Sequence, residues 1–324
     1  MDIYSATIDY VSSLPITRTW PEFRTIFKRI AAQQPKHWLL PLKACLAVGG
    51  TPEQALPAVA AMACAQIGIV MLDDLLDQDP RGEYHRLGAA IAANLGATFQ
   101  VAGLEAILSY DLQPAIKLGA LASANRMLLS VAFGQDLDTK SPTNEAAYWR
   151  IVEHKSASFF GMALCMGALL GGASQKVAGS LKRFGQLYGE MIQIHDDLND
   201  SLAVPAGPDW IQKRAPLPIL FARIVEHPAR RRFLELHGDV TRPAALQEAQ
   251  EILIQCGAVS YCVDQLLLRH QAVQKLLEVT QLVSRQPLQE LTNEIVAPVW
   301  KLFNAVGLQP ATPLPTMTVT ESLG

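Results

Sequence analysis

Charge is scarce in this chain, and neither sign prevails. Of its 324 residues, 18% are Asp, Glu, Lys or Arg, and the formal net charge is −3. A chain so balanced has no long-range field to draw in nucleic acid. Its one basic cluster, Arg230-Arg231-Arg232, follows His227 and Pro228 in a polar stretch and reads as the solvated start of a helix. Zinc-type cysteine spacing is missing as well. There are five cysteines, an odd number, and Cys256 and Cys262 stand six apart. Four of the five lie in apolar windows and read as small core residues. A reducing, cytoplasmic setting is expected. The opening Met1-Asp2-Ile3-Tyr4 lacks the basic-then-apolar pattern of a secretory signal. Alternating strand patterns bounded by turns are absent too, which argues against a β-rich fold.

What remains is apolar and helical. Half of the residues are hydrophobic, enough for a large core. Periodicity predicts helices near 20–33, 36–48, 52–77, 85–109, 114–137, 143–171, 176–200, 216–226, 243–256, 258–284 and 287–305. Thr51-Pro52-Glu53-Gln54 combines a capping Thr, a first-turn Pro and a Gln three residues on. Ser141-Pro142-Thr143-Asn144-Glu145 is a similar start. No linker divides the chain, so one all-α domain over 1–308 is expected, with a flexible Pro- and Thr-rich tail at 309–324. Residues 55–72 and 156–175 are uncharged and approach membrane-spanning length. Both also fit buried helices of a large core, and the first runs straight into three aspartates. No stable membrane insertion is expected.

The informative feature is a pair of acidic runs, Asp73-Asp74-Leu75-Leu76-Asp77 and Asp196-Asp197-Leu198-Asn199-Asp200. Each leaves a long apolar helical stretch, and each has the spacing Asp-Asp-x-x-Asp. On a helix, i and i+4 share a face, while i+1 lies about 100° away. Each run therefore aims carboxylates at one point, which is unfavourable beside an apolar core unless a cation intervenes. A lone run reads as a solvated helix end. Two with the same spacing point to a hard divalent ion, and Mg²⁺ is the usual one where phosphate oxygens complete its shell. Cations that suit a diphosphate lie nearby: Lys155 opens an apolar run, Lys213 and Arg214 follow the second acidic run, and Arg81 follows the first. Each alone also reads as a snorkelling surface residue. The segment 201–208 reads either as a plain connection or as a loop that closes over a ligand.

Further motifs accompany these runs: Gly134-Gln135-x-x-Asp138, Lys155-Ser156-Ala157, Gln193 three residues before Asp196, and Lys213 followed by Leu217-Pro218. With them, residues 30 to 225 resemble the trans-isoprenyl diphosphate synthases of the polyprenyl synthetase group. The resemblance implies an isoprenoid-synthase-type helical bundle around a deep central apolar cavity, and a homodimer. It implies two or three Mg²⁺ ions on Asp73, Asp77 and Asp196, and an allylic diphosphate whose oxygens meet Lys155 and Lys213. Ionisation then gives an allylic cation, which isopentenyl diphosphate attacks before a proton is lost. Gln193 and the backbone carbonyl of Lys155 supply dipoles for the cation. Asp74, Asp197 and Asp200 act through water or by orienting ligands.

Three departures from the family pattern strike the metal-free site for isopentenyl diphosphate. Pro35-Lys36-His37-Trp38-Leu39-Leu40-Pro41 stands where the family has Gly-Lys-Arg-x-Arg-Pro. Arg81-Gly82 stands where it tends to have paired arginines, and Gln66 where a His is frequent. Each charge-assisted hydrogen bond to a diphosphate is worth roughly 1.5–3 kcal/mol, so this site is expected to bind weakly unless Lys36, His37 and Arg81 suffice. A terpene synthase or diphosphate lyase on the same fold is the alternative, and a non-catalytic subunit of a prenyl synthase is a third. The product tail is expected to run past Ile69 and Gly68, one turn before Asp73, toward Ala65 and Met62. No aromatic blocks that face, which implies a product of geranylgeranyl length or more, shortened by Phe at Gly68 or Ile69.

Overall fold

The computed structural model describes residues 2–305, so the expected tail at 309–324 lies outside the described residues. Helices make up the fold, and no strand occurs among the described residues. In chain order they are α1 (Ile3–Ser13), α2 (Pro21–Ala31), α3 (Leu40–Ala47), α4 (Pro52–Asp77), α5 (Tyr84–Leu87), α6 (Ala89–Leu108), α7 (Pro114–Asp138) and α8 (Glu145–Val152). They continue as α9 (Ser158–Leu170), α10 (Gln175–Leu202), α11 (Pro208–Ile211), α12 (Leu217–Ile224), α13 (Arg230–Leu236), α14 (Pro243–Gln255), α15 (Ala258–Val279) and α16 (Gln286–Ala305).

Two helices organise the bundle. Helix α9 is apolar all round and every one of its residues is buried, as a helix without a polar face must be. It lies against α3, α7 and α10. Helix α4 starts at the reciprocal cap of Thr51 and Gln54. It ends at Gln78, which is left-handed (φ 52°) and donates its amide to the Asp74 carbonyl. The first acidic run is therefore the last turn and a half of a rigid, buried rod. Helix α10 starts at a Ser174 cap and carries the second run into its last turns.

Several elements differ from the periodicity reading. Residues 36–39 form a 3₁₀ turn before α3. Gly88 (φ 83°) separates α5 from α6. Helices α1, α11 and α13 are additional, and α13 begins at Arg230 with its three arginines paired to Glu226, Glu235 and Glu248. All five thiols are free; Cys45, Cys64, Cys165 and Cys262 are buried. By length and composition α4, α6 and α7 could each cross a membrane. The apolar window of α4 is 72% buried, and that of α7 is 28% buried, so packing uses up the first and leaves an open face on the second.

Gly68 requires a correction. A Cβ at that position would stand 2.5 Å from the Gly96 carbonyl oxygen and 2.8 Å from Gln100. Gly68 thus lets α4 and α6 cross closely and does not line a product channel. Ile69, its neighbour, packs instead on the central core. Gly68→Ala is expected to lose roughly 1–3 kcal/mol of stability by overpacking, read as a lowered urea midpoint. Gly179→Ala, at an exposed position of α10 where a methyl meets open space, is expected to hold or raise the midpoint.

Candidate active site

Each acidic run divides its carboxylates between two directions, as helical geometry requires. Asp73 and Asp77 share a face and are each about one-fifth exposed. Asp74 points to the following bend, where a Cβ on Gly82 would lie 2.9 Å from it. Burial, then Asp79 and Asp73, push the Asp74 carboxyl up to about 6. In the second run, Asp196 and Asp200 are exposed and border a cleft of about 270 Å³. Asp197 turns inward and is 4% exposed.

Lys155 bridges the runs' surroundings. Its Nζ lies 3.4 Å from Asp73 Oδ2 and 2.9 Å from Asp138 Oδ2. Burial by itself would lower the lysine's pKa, but Asp138 and Asp73 outweigh it and hold the ammonium charged. The backbone here departs from the α-helix: residues Glu153–Ala157 form a π-helical turn between α8 and α9, a feature found mostly as single turns inside helices. Two glycines bracket it. A Cβ on Gly134 of α7 would stand 2.7 Å from the Lys155 amide nitrogen, and one on Gly189 of α10 would stand 2.7 Å from the Ser156 carbonyl oxygen. This gives Gly134-Gln135-x-x-Asp138 a physical reading. The glycine admits the π turn, Gln135 donates to Asp77 at 3.4 Å, and Asp138 accepts from Lys155.

On the far wall, the segment after α10 reaches back to the end of α4. Arg214 forks onto Asp77, with Nη2 2.7 Å from Oδ1 and Nη1 3.1 Å from Oδ2. Gln212 donates to the Asp77 carbonyl at 2.8 Å. Asp209 lies 3.8 Å from the same guanidinium. Lys213, expected to hold diphosphate, is exposed with φ 57°. Its left-handed backbone turns it aside, and Arg214 is the cation that meets the first run.

Asp197 accepts three hydrogen bonds: from Tyr148 Oη at 2.7 Å, the Leu217 amide at 2.7 Å and Gln193 Nε2 at 2.8 Å. Burial pushes its carboxyl up to about 7 while these donors pull it back. Gln193 is held in turn by Ser156, whose hydroxyl donates to its Oε1 at 2.6 Å. Asp197 therefore ties α8, α10 and α12 together and orients Gln193 beside the π turn. The Leu217 amide is available because Leu217 opens α12, where first-turn N–H groups have no partner within the helix.

The second run thus borders the cleft beside Lys155 and Arg214, and the first run is tied to it through the ion pairs of Asp73 and Asp77 with those two cations. Among the described residues, no three His, Cys, Asp or Glu side chains stand close enough to hold a metal ion. Lys36, His37, Gln66 and Arg81 do not border this cleft. Lys36 pairs with Glu294 at 3.3 Å, and Arg81 with Asp79 at 2.7 Å. His37 packs edge-on to Phe160 at 4.9 Å; burial and then Lys36 lower its pKa. Gln66 Oε1 is buried without a hydrogen-bond partner. Tyr148, Gln212 and Asp209 escaped the sequence reading. Tyr148 stands seven residues before Lys155, two helical turns, and that spacing was the one available signal.

The family model for polyprenyl synthetase matches residues 29–255. The chain belongs to that family. It is 30% identical over 166 residues to a geranylgeranyl diphosphate synthase of Methanosarcina mazei, an alignment covering 48% of this chain and 51% of that protein. The chain thus spans about half the length of that relative. It is 27% identical over 233 residues to a short chain isoprenyl diphosphate synthase of Methanothermobacter thermautotrophicus, covering 66% and 70%. The fold matches that of a geranylgeranyl pyrophosphate synthetase from Pyrococcus horikoshii with a TM-score of 0.79 at 19% identity, over 91% of this chain and 94% of that one. For this polyprenyl synthetase family member, the adjacent Asp196 and Asp197 are expected to separate in a denaturation series at pH 8. Asp197→Asn turns an amide NH₂ toward a donor and is expected to cost roughly 1–3 kcal/mol. Asp196→Asn, at the exposed rim, is expected to stay within about 0.5 kcal/mol of the parent.

Proposed function

We propose that this chain is an isoprenyl diphosphate synthase, a Mg²⁺-dependent prenyltransferase that joins an allylic diphosphate to isopentenyl diphosphate to make a longer trans-polyprenyl diphosphate. The observation that carries this reading is that Lys155 and Arg214, which border one cleft with Asp196, Asp197 and Asp200 of the second run, pair with Asp73 and Asp77 of the first. The donor set fits the metal. Asp73, Asp77 and Asp196 offer only carboxylate oxygens, the ligands that a hard divalent cation takes, and they would hold two or three magnesium ions. The bound ions supply charge neutralisation of the departing diphosphate. Lys155 and Arg214, the two cations that border the cleft, hold diphosphate oxygens in place of the expected pair Lys155 and Lys213. Gln193, fixed by Ser156 and Asp197, presents its amide dipole to the allylic cation. The buried walls contributed by α4 and α9 keep water from it.

Dimerisation is part of the proposal. Ile91, Val101 and Leu108 on α6, with Leu118, Leu129 and Phe133 on α7, are exposed apolar side chains. A homodimer that buries them accounts for the open face of α7. Five free thiols fit a cytoplasmic location.

One observation favours a second reading. The cations expected to bind isopentenyl diphosphate, Lys36 and Arg81, are each engaged by a carboxylate of this chain. If they stay engaged, the ionised allylic substrate cyclises or is quenched by water, which is terpene synthase or diphosphate lyase chemistry. A non-catalytic subunit is the remaining reading.

A single incubation separates them. Purified protein is supplied with Mg²⁺ and farnesyl diphosphate, with and without isopentenyl diphosphate, and the products are extracted. Elongated diphosphates that require both substrates are expected. Hydrocarbons or alcohols formed without isopentenyl diphosphate point to the second reading, and no turnover in any mixture points to the third. In the active enzyme, Ile69→Phe is expected to shift the product to fewer isoprene units, read by chromatography of the dephosphorylated alcohols.

A further inference from the structure

His237 carries a buried polar atom that nothing in the fold satisfies. The residue caps the end of α13 and is 8% exposed. Its ring lies 5.6 Å from the Trp210 ring and 6.1 Å from the Phe233 ring, centroid to centroid. Its Nε2 is buried and has no hydrogen-bond partner. A buried ring nitrogen left unpaired is costly, and an absent water or ion is the usual reason for one.

The charge around His237 says which ion. Burial, then Arg223 and Lys213, lower its pKa. Neither of those cations makes a side-chain hydrogen bond or ion pair among the described residues. Both are held by their backbones. The Lys213 amide donates to the Trp210 carbonyl at 3.2 Å, and the Arg223 carbonyl accepts from Arg230 Nε at 2.8 Å. The carboxylates of this region are already taken. Glu235 pairs with Arg231 and Arg232, Asp239 with Arg242, Glu226 with Arg230 and Glu248 with Arg232. Two free cations and an unpaired ring nitrogen thus stand together without a counter-charge, the reverse of the carboxylate-rich cleft.

We infer that Lys213, Arg223 and His237 form an oxyanion site beside Trp210, separate from the cleft, that takes inorganic phosphate or diphosphate. The guanidinium offers paired N–H groups, the ammonium a point charge and the ring one N–H, a donor set that fits a tetrahedral oxyanion. None of the three residues borders the cleft, so the site is independent of the reaction proposed above. It also gives Lys213 a use on the side to which its left-handed backbone turns it.

The test reads the imidazole itself and needs no turnover. The full-length chain is labelled with carbon-13 at histidine Cε1, and the His237 resonance is assigned by its loss in His237→Gln. Inorganic phosphate is titrated in without Mg²⁺, at fixed pH and with sodium chloride holding the ionic strength. A saturable shift of the His237 resonance is expected, half complete at about 1 mM. Arg223→Gln and Lys213→Gln are each expected to weaken the binding about tenfold. Lys213 is exposed, so its variant carries the test if Arg223→Gln fails to melt cooperatively. Arg214→Gln, which removes a cation of the cleft, is expected to leave the titration unchanged. A parallel titration with inorganic diphosphate separates the two sources: the anion that saturates the shift at the lower concentration is the occupant. A His237 resonance that never saturates, or saturates alike in the parent and both cation variants, would overturn the site. Loss of the shift in Arg214→Gln would overturn it too, by placing the anion in the cleft.

Discussion

Carboxylate crowding is the constraint on which this molecule turns. Asp73, Asp77 and Asp138 approach one another at the edge of an apolar bundle, with Asp196, Asp200 and Asp209 across the cleft. Alone, such a set would protonate or push the helices apart. Lys155 and Arg214 prevent this, and much of the surrounding architecture positions them. The π turn places Lys155, the two bracketing glycines admit the turn, and buried Trp210 with the Asp197–Leu217 contact fixes the segment carrying Arg214.

Neighbouring identical residues take unlike parts because a helix turns by about 100° per residue. Asp196 looks out to the cleft and Asp197 looks inward to Tyr148 and Leu217. Asp73 meets Lys155, whereas Asp74 meets the bend that holds Asp79 and Gly82. The Asp-Asp-x-x-Asp spacing thus serves two demands at once: carboxylates that pair with cations or face the cleft, and another that braces the rim from behind or lies off to its side.

Much of this could be read before any coordinates. Long apolar stretches ending in aspartates marked α4 and α10, the Thr51 cap gave the start of α4, and the cysteines in apolar windows are core residues. Other features were hidden for identifiable reasons. The π turn depends on the close approach of α7 and α10, which no local pattern around Lys155 discloses. Choosing between Lys213 and Arg214 depends on one left-handed residue. Gly68 lies on the helix that leads to Asp73, yet its open side faces α6, and burial on both faces of α4 leaves no amphipathic stripe to say so. The segment 36–39 reads as a helix by periodicity, but Pro35 and Pro41 restrict it to a tight turn before α3.

The π turn sets a rule for how this chain can change its length. Such a turn amounts to one surplus residue accommodated inside an otherwise regular helix. Removing any one residue between Glu153 and Ala157 lets α8 run smoothly into α9 and improves the local helix. It also rotates everything on one side by about 100° relative to the other, carrying either the ammonium away from Asp73 or Tyr148 away from Asp197. Lineages that descend from this sequence can therefore vary the surface loops freely while this five-residue stretch stays closed to insertion and deletion.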